Sequence, residues 1–190
     1  MKNIAIFASG SGTNAQNIIE FFDKKEYAKV KIIVTDIENA FVLERASILK
    51  ISSKYIPRKV FKENGIEILN LMRENEIDLI VLAGFLYMIP ECLTRAFHKK
   101  IINIHPALLP SYGGKGMYGM NVHNAVKLNN EKFSGITIHY VNEKYDDGEI
   151  IFQEKCEIES NDTPENIAEK VHKLEYKYYP LIIDNLMNEM

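Results

Sequence analysis

Ile4-Ala5-Ile6-Phe7-Ala8-Ser9-Gly10-Ser11-Gly12-Thr13-Asn14-Ala15 is the stretch that decides the fold. Five apolar residues in succession, Ile4 to Ala8, suit a strand covered on both faces, because only there can consecutive side chains all be hidden. Glycines then break the run. From Asn14 to Lys24 apolar residues return at helical spacing, with Ile18, Ile19, Phe21 and Phe22 on one stripe. Strand, glycine turn and helix in this order open an α/β unit. Glycines at such a turn let the backbone approach a phosphate, and the helix start offers unpaired N–H groups and a positive dipole end. As G-x-G-x-x-A with Asp36 about twenty residues on, the loop fits a dinucleotide fingerprint. Thr13 and Asn14 add donors that suit a phosphate monoester equally well. A tight turn that merely needs glycine would read the same way.

Outward from that loop the alternation repeats. Val30 to Thr35, Leu79 to Ala83 and Ile101 to Ile104 are short aliphatic runs. Phe41 to Lys50 and Glu63 to Asn75 have helical spacing, the latter through Ile66, Leu69 and Met72. After Ser134 the pattern changes: Gly135 to Val141 and Ile150 to Ile158 read as two strands of an antiparallel hairpin. A last helix starts with Thr163 as N-cap and Pro164 at its first position, and runs through Tyr179 to Pro180, which should kink or split it. These elements predict an α/β fold, an open, mostly parallel, Rossmann-like twisted sheet flanked by helices with a C-terminal antiparallel portion. With no repeat, low-complexity tract or linker, residues 1–190 are expected to form a single domain.

Bulk properties narrow the function classes. The chain has 190 residues, 46% hydrophobic and 26% charged, with a net charge of −3 and no long block of like charge. A large nucleic-acid surface is thereby disfavoured, since phosphate neutralisation needs clustered Lys and Arg, whereas small anionic ligands are not. The N-terminal apolar run is too short for a signal or a membrane span. Cys92 and Cys156 are far apart with no Cys-x-x-Cys, and read as small core hydrophobes in a reducing compartment, the cytoplasm.

Chemistry concentrates in Ile101-Ile102-Asn103-Ile104-His105-Pro106. Residues two apart share a strand face, so Asn103 and His105 project together from an otherwise aliphatic strand. Pro106 stops the ladder and places the pair at the carboxyl end, where open α/β sheets bind ligands. An amide beside an imidazole can stabilise the charge a carbonyl oxygen gains on attack, or the two can simply satisfy loop carbonyls. His139 lies in a strand, and Tyr145-Asp146-Asp147-Gly148 follows in a turn-like segment. A carboxylate from there beside His105 would orient the ring and favour its cation. His98, His123 and His172 show no mutual spacing. Without a His-x-x-x-His or similar pair, no metal is expected.

Taken together, the glycine loop, Val81-Leu82-Ala83-Gly84-Phe85, Asn103-Ile104-His105-Pro106 with Leu108-Leu109-Pro110, and Asp146 in its loop resemble the phosphoribosylglycinamide formyltransferases, from Ile4 to about Pro180. That resemblance implies transfer of the formyl group of 10-formyltetrahydrofolate, a co-substrate, to the amine of 5'-phosphoribosylglycinamide in purine biosynthesis. It implies a catalytic trio of Asn103, His105 and Asp146 (not Asp147), and a ribose phosphate held by Gly12, Thr13 and Asn14. Glu175 on the last helix would contact the ribonucleotide. Leu86, Tyr87, Met88 and Ile89 would line the folate pocket, with Asn103 also touching folate. The partners implied are small molecules, with no nucleic acid or membrane, for a monomer or homodimer.

The chain departs from that family in three places. An arginine before the third helix has no clear equivalent in Arg58-Lys59-Val60-Phe61-Lys62; the glycine-rich loop Ser111 to Gly119 is long, and reads as a lid or an insertion; and His172 replaces a basic residue one turn before Glu175. No acyl carrier stands in any motif, so direct attack by the amine is the simpler route. A methionyl-tRNA formyltransferase would add a basic C-terminal domain, and a formyltetrahydrofolate deformylase an N-terminal one. A sugar-nucleotide formyltransferase, an NAD-binding module or an inactive folate binder fits fewer of these residues.

Overall fold

The computed structural model describes residues 1–63 and 65–190. Its elements in chain order are β1 (Lys2–Phe7), α1 (Thr13–Phe22), β2 (Ala28–Thr35), α2 (Phe41–Ile48), β3 (Ser52–Tyr55), α3 (Arg58–Glu63) and α4 (Ile66–Glu74). There follow β4 (Ile77–Leu82), α5 (Glu91–Ala96), β5 (Ile101–His105), α6 (Met120–Leu128), β6 (Phe133–Tyr140), β7 (Ile150–Glu157) and α7 (Pro164–Glu189). The seven strands are ordered β3-β2-β1-β4-β5-β6-β7. β1 pairs in parallel with β2 and β4, β2 in parallel with β3, and β7 runs antiparallel to β6. The sheet is thus mostly parallel with an antiparallel C-terminal portion, as the alternating apolar runs predict.

The chain divides into two compact units, Met1–Ile102 with Asp184–Met190, and Asn103–Ile183. In the first, Ile4, Ile6, Ile18, Ile33, Leu79 and Ile80 are completely buried, and Phe7 meets Phe85 edge-on at 5.5 Å. The C-terminal tail joins this unit through Asp184, which takes Lys25 at 3.0 Å and the Tyr27 hydroxyl. In the second, Val122, Ile136, Ile138, Ile167, Val171 and Tyr179 form the buried set. Among the described residues no helix is long and apolar enough to cross a membrane.

Several local expectations change. β3 reads Ser-Ser-Lys-Tyr and lies at the sheet edge with its first three residues exposed, so it carries no apolar run. α3 and α5 have six residues each, too few to show a helical period. The helix expected over Glu63 to Asn75 starts at Ile66 behind Gly65 in the left-handed region; Glu63 closes α3, and Asn64 lies outside the described residues. Pro180 does not split the last helix, which is continuous from Pro164 to Glu189. The missing N–H removes one bond, and the completely buried Tyr179 and Ile183 on either side hold that turn by packing. Its start is as expected: Thr163 Oγ1 accepts from Asn166 N–H at 3.3 Å, and Asn166 Oδ1 from Thr163 N–H at 3.0 Å. Cys92 and Cys156 are reduced thiols, half-buried rather than core residues.

Candidate active site

In the second unit, Asn103 and His105 flank the buried Ile104 at the end of β5. The turn that follows is clamped by Thr137 of β6, whose hydroxyl donates to Ala107 O at 2.7 Å and accepts from Leu109 N–H at 3.0 Å. Gln153 of β7 donates to Leu109 O at 2.9 Å and to the Thr137 hydroxyl at 2.8 Å. Between β6 and β7 the chain turns through Asp146, whose φ of 52° lies in the left-handed region. A Cβ at Gly148 would stand 1.7 Å from Tyr140 O, so only glycine lets the hairpin close there. This arrangement brings Asn103, His105 and Asp146 together. Asp147 points away instead: its side chain is 53% exposed and faces Lys144 at 3.6 Å.

The hydrogen-bond partners fix where protons sit. His139 Nδ1 is 2.8 Å from Tyr140 O; a carbonyl only accepts, so Nδ1 carries hydrogen and the neutral ring's Nε2 is an acceptor. Asn103 Nδ2 lies 3.1 Å from that Nε2 and 3.4 Å from Asp146 Oδ1, which orients the amide with both N–H groups toward acceptors. The first bond is firm, and the second is at the long limit and available to an incoming oxygen. His105 Nε2 donates to Tyr112 O at 2.7 Å, leaving Nδ1 to face Asp146 Oδ2 at 3.6 Å. Gly114 N–H donates to the same Oδ2 at 2.9 Å.

Burial pushes His105 below the ordinary histidine value, and the Asp146 charge and Tyr112 carbonyl only partly pull it back. The ring is therefore neutral at rest: the carboxylate is present as expected but does not overcome desolvation. Burial would raise Asp146, yet the His139 and His105 rings, each attractive to the carboxylate when it carries its second proton, and the Gly114 amide outweigh it and hold the carboxyl below its usual range. On α7, Glu175 is 4% exposed and binds His172 Nδ1 at 2.8 Å; that bond raises His172. His123 of α6 is buried, its Nδ1 without a partner among the described residues, and burial lowers its pKa. His139 drew notice in the sequence without this role, and Thr137, Gln153 and Tyr112 escaped sequence reasoning as site residues. Their parts depend on carbonyl partners that no spacing reveals.

In the first unit, Gly12 caps α1 with φ of 75°, followed by Thr13 and Asn14 in its first turn. A Cβ there would stand 2.4 Å from Val42 Cγ2, so this glycine is required both sterically and conformationally. Arg45 Nε donates to Ser11 O at 2.7 Å and braces the loop. Asp36 is buried and already bound by the Ser9 hydroxyl at 2.5 Å and Arg58 Nε at 2.6 Å. It is not presented to a ribose, which removes the acidic half of the dinucleotide fingerprint. After β4, Leu86 and Met88 are exposed apolar side chains while Ile89 is buried, so Ile89 could offer a ligand only its backbone. Arg58 sits over the Tyr87 ring at 5.6 Å. Among the described residues no group of three His, Cys, Asp or Glu is arranged to hold a metal.

Residues 2–183 match the family model described as formyl transferase. The chain is 39% identical over 191 residues to a phosphoribosylglycinamide formyltransferase of Bacillus subtilis, covering 98% of this chain and 95% of that protein. It is 39% identical to the chloroplastic phosphoribosylglycinamide formyltransferase of Arabidopsis thaliana, covering 99% of this chain and 66% of the relative. The chain thus spans just under two thirds of the plant protein. The crystal structure of phosphoribosylglycinamide formyltransferase from Bacillus halodurans superposes with a TM-score of 0.89 at 37% identity, covering 98% of this chain and 95% of that one.

Proposed function

We propose, from the premise that the chain belongs to the formyl transferase family and groups there with the phosphoribosylglycinamide formyltransferases, that it moves the formyl group of 10-formyltetrahydrofolate to the amine of 5'-phosphoribosylglycinamide. The observation that carries this is the convergence of an amide, an imidazole and a carboxylate, Asn103, His105 and Asp146, with neither cysteine among them. Such a set suits the stabilisation of a tetrahedral adduct formed by direct attack, a simpler route than an acyl-enzyme.

The amine attacks the formyl carbon, and the carbonyl oxygen gains negative charge. Asn103, held on His139 by one N–H, turns its weakly committed second N–H to that oxygen. His105 takes up a proton at Nδ1, since Nε2 is already occupied by the Tyr112 carbonyl, and the imidazolium faces both the oxyanion and Asp146. Asp146 makes that protonation favourable despite burial. As the bond between the formyl carbon and the folate N10 breaks, the proton lost by the amine is returned to N10. In the first unit, the N–H groups and side chains of Gly12, Thr13 and Asn14 suit the ribose phosphate, and the exposed Leu86 and Met88 suit the folate ring. Glu175, buried on α7 and bound to His172, suits a contact with the ribonucleotide.

The test follows absorbance as 10-formyltetrahydrofolate becomes tetrahydrofolate, with and without phosphoribosylglycinamide. Conversion that requires the ribonucleotide is the expected result. Conversion without it would replace transfer by hydrolysis, and none in either case would overturn the reading.

A further inference from the structure

Tyr112 is bound at both ends. Its carbonyl accepts from His105 Nε2 at 2.7 Å, while its hydroxyl donates to Glu131 Oε1 at 2.7 Å and accepts from Asn129 Nδ2 at 2.9 Å. Between these anchors the residue adopts a φ of 57°, a conformation that a bulky L-residue avoids unless its surroundings hold it there. Tyr112 is half-buried and lines a cavity of about 540 Å³ shared with Leu108, Val126 and Phe133. Glu131 and Asn129 belong to the connection from α6 to β6, far from the reacting groups along the chain, and neither meets His105.

We infer that Tyr112 is a positioning residue whose hydroxyl, through Glu131 and Asn129, holds the left-handed turn that keeps its carbonyl on His105 and so fixes which ring nitrogen is left for the reaction. The inference rests on the reading that His105 Nδ1 acts in formyl transfer. The charged and titratable groups around that ring are Asp146 from the β6–β7 connection, His139 from β6, Glu175 from α7 and His123 from α6. Asp146 faces Nδ1, and Nε2 is held by the Tyr112 carbonyl. Loosening the turn frees Nε2, lets the neutral ring exchange tautomers and removes a bond that favours the charged form.

The experiment compares Tyr112→Phe, Glu131→Leu and Glu131→Gln with the unaltered protein in two ways. The first is an NMR titration of the ¹⁵N-labelled His105 imidazole without substrates; the second is steady-state formyl transfer across pH. Tyr112→Phe and Glu131→Leu are expected to lower the His105 titration midpoint and to populate the Nδ1–H tautomer. Loss of one such anchor should cut kcat about fivefold, with KM for both substrates kept within about twofold. Glu131→Gln, whose amide oxygen still accepts from the tyrosine, should behave as the parent. Unmoved titration and tautomer in Tyr112→Phe and Glu131→Leu would overturn the inference, whether or not turnover fell. Should the unaltered protein show no ribonucleotide-dependent transfer, the functional reading fails, and the substrate-free titration alone decides the role of Tyr112.

Discussion

Asp146→Asn separates charge from shape at the proposed site. Asparagine tolerates the left-handed backbone, so the φ of 52° at this position adds no strain. Its amide oxygen can still accept from Gly114 N–H, now 2.9 Å from Oδ2. What disappears is a negative charge 3.6 Å from His105 Nδ1. At an effective dielectric of about 20, that charge favours an imidazolium by roughly 4–5 kcal/mol. Burial keeps the resting ring neutral, so nearly all of this applies only when the proton arrives, in the transition state. Part is recovered by water and by Asn103. A loss of kcat of about a hundred- to a thousandfold is the expected result, comparable to removing an oxyanion donor. The melting temperature should stay within about 4 °C, equivalent to roughly 1 kcal/mol for a chain of this size. The assay is the absorbance change on formyl transfer at neutral pH, beside a circular-dichroism melt. Turnover within about threefold of the parent, from a folded variant, would refute the charge argument.

Gly12→Ala places a Cβ 2.4 Å from Val42 Cγ2 at a φ of 75°; it should lose about 1–3 kcal/mol and raise KM for the ribonucleotide. Gly10→Ala, with nothing within 4 Å, should match the parent in melting temperature and KM. Arg58→Ala removes the cation from the buried Asp36, which keeps the Ser9 hydroxyl; urea titration should show a loss of about 1–3 kcal/mol, toward the lower figure because the arginine is half exposed. His105 and His123 are both held below the ordinary histidine value of about 6.5 by burial. As pH falls from about 6.5 toward their folded values, the unfolded chain takes up protons first, so stability declines, by at most about 1.4 kcal/mol per unit for each ring. His172 acts oppositely: its raised value contributes stability below 6.5 that is lost as pH rises through the folded value. Between pH 7 and about 5.5 the melting temperature of His123→Leu should therefore fall less, or rise more, than that of the unaltered protein.

The parallel core was legible because strands covered on both faces leave continuous apolar runs, and Ile4 to Ala8 and Leu79 to Ala83 are such runs. β3 was not, because an edge strand with exposed Ser52, Ser53 and Lys54 needs no apolar side chains. Pro180 misled for a related reason: the rule against proline weighs one lost bond, whereas the turn is held by tertiary burial on both sides. Asn103 and His105 stood out because strand periodicity puts two polar groups on one face of an aliphatic segment. Asp146 had no such mark. Asp-Asp-Gly reads as a solvated turn, and only the family resemblance favoured the first aspartate over the second. Asp36 showed the opposite failure, a residue at the right interval for a nucleotide whose carboxylate is already bound by Ser9 and Arg58.

What no spacing could convey is the direction of the hydrogen bonds, and that direction is what makes the constellation chemical. Two backbone carbonyls set it. Tyr140 O takes the Nδ1 hydrogen of His139, which turns Nε2 into an acceptor and obliges Asn103 to present its N–H groups rather than its oxygen. Tyr112 O takes the Nε2 hydrogen of His105, which leaves Nδ1 as the nitrogen that meets Asp146. Neither carbonyl belongs to a residue whose side chain would attract notice as catalytic. Both are placed by tight local backbone, at the hairpin where Gly148 passes under Tyr140 and at the left-handed turn of Tyr112. The same three side chains with either carbonyl displaced could interchange donors and acceptors at little cost, and would then stabilise no single charge distribution. Preorganisation here is a property of the two turns as much as of the trio they orient.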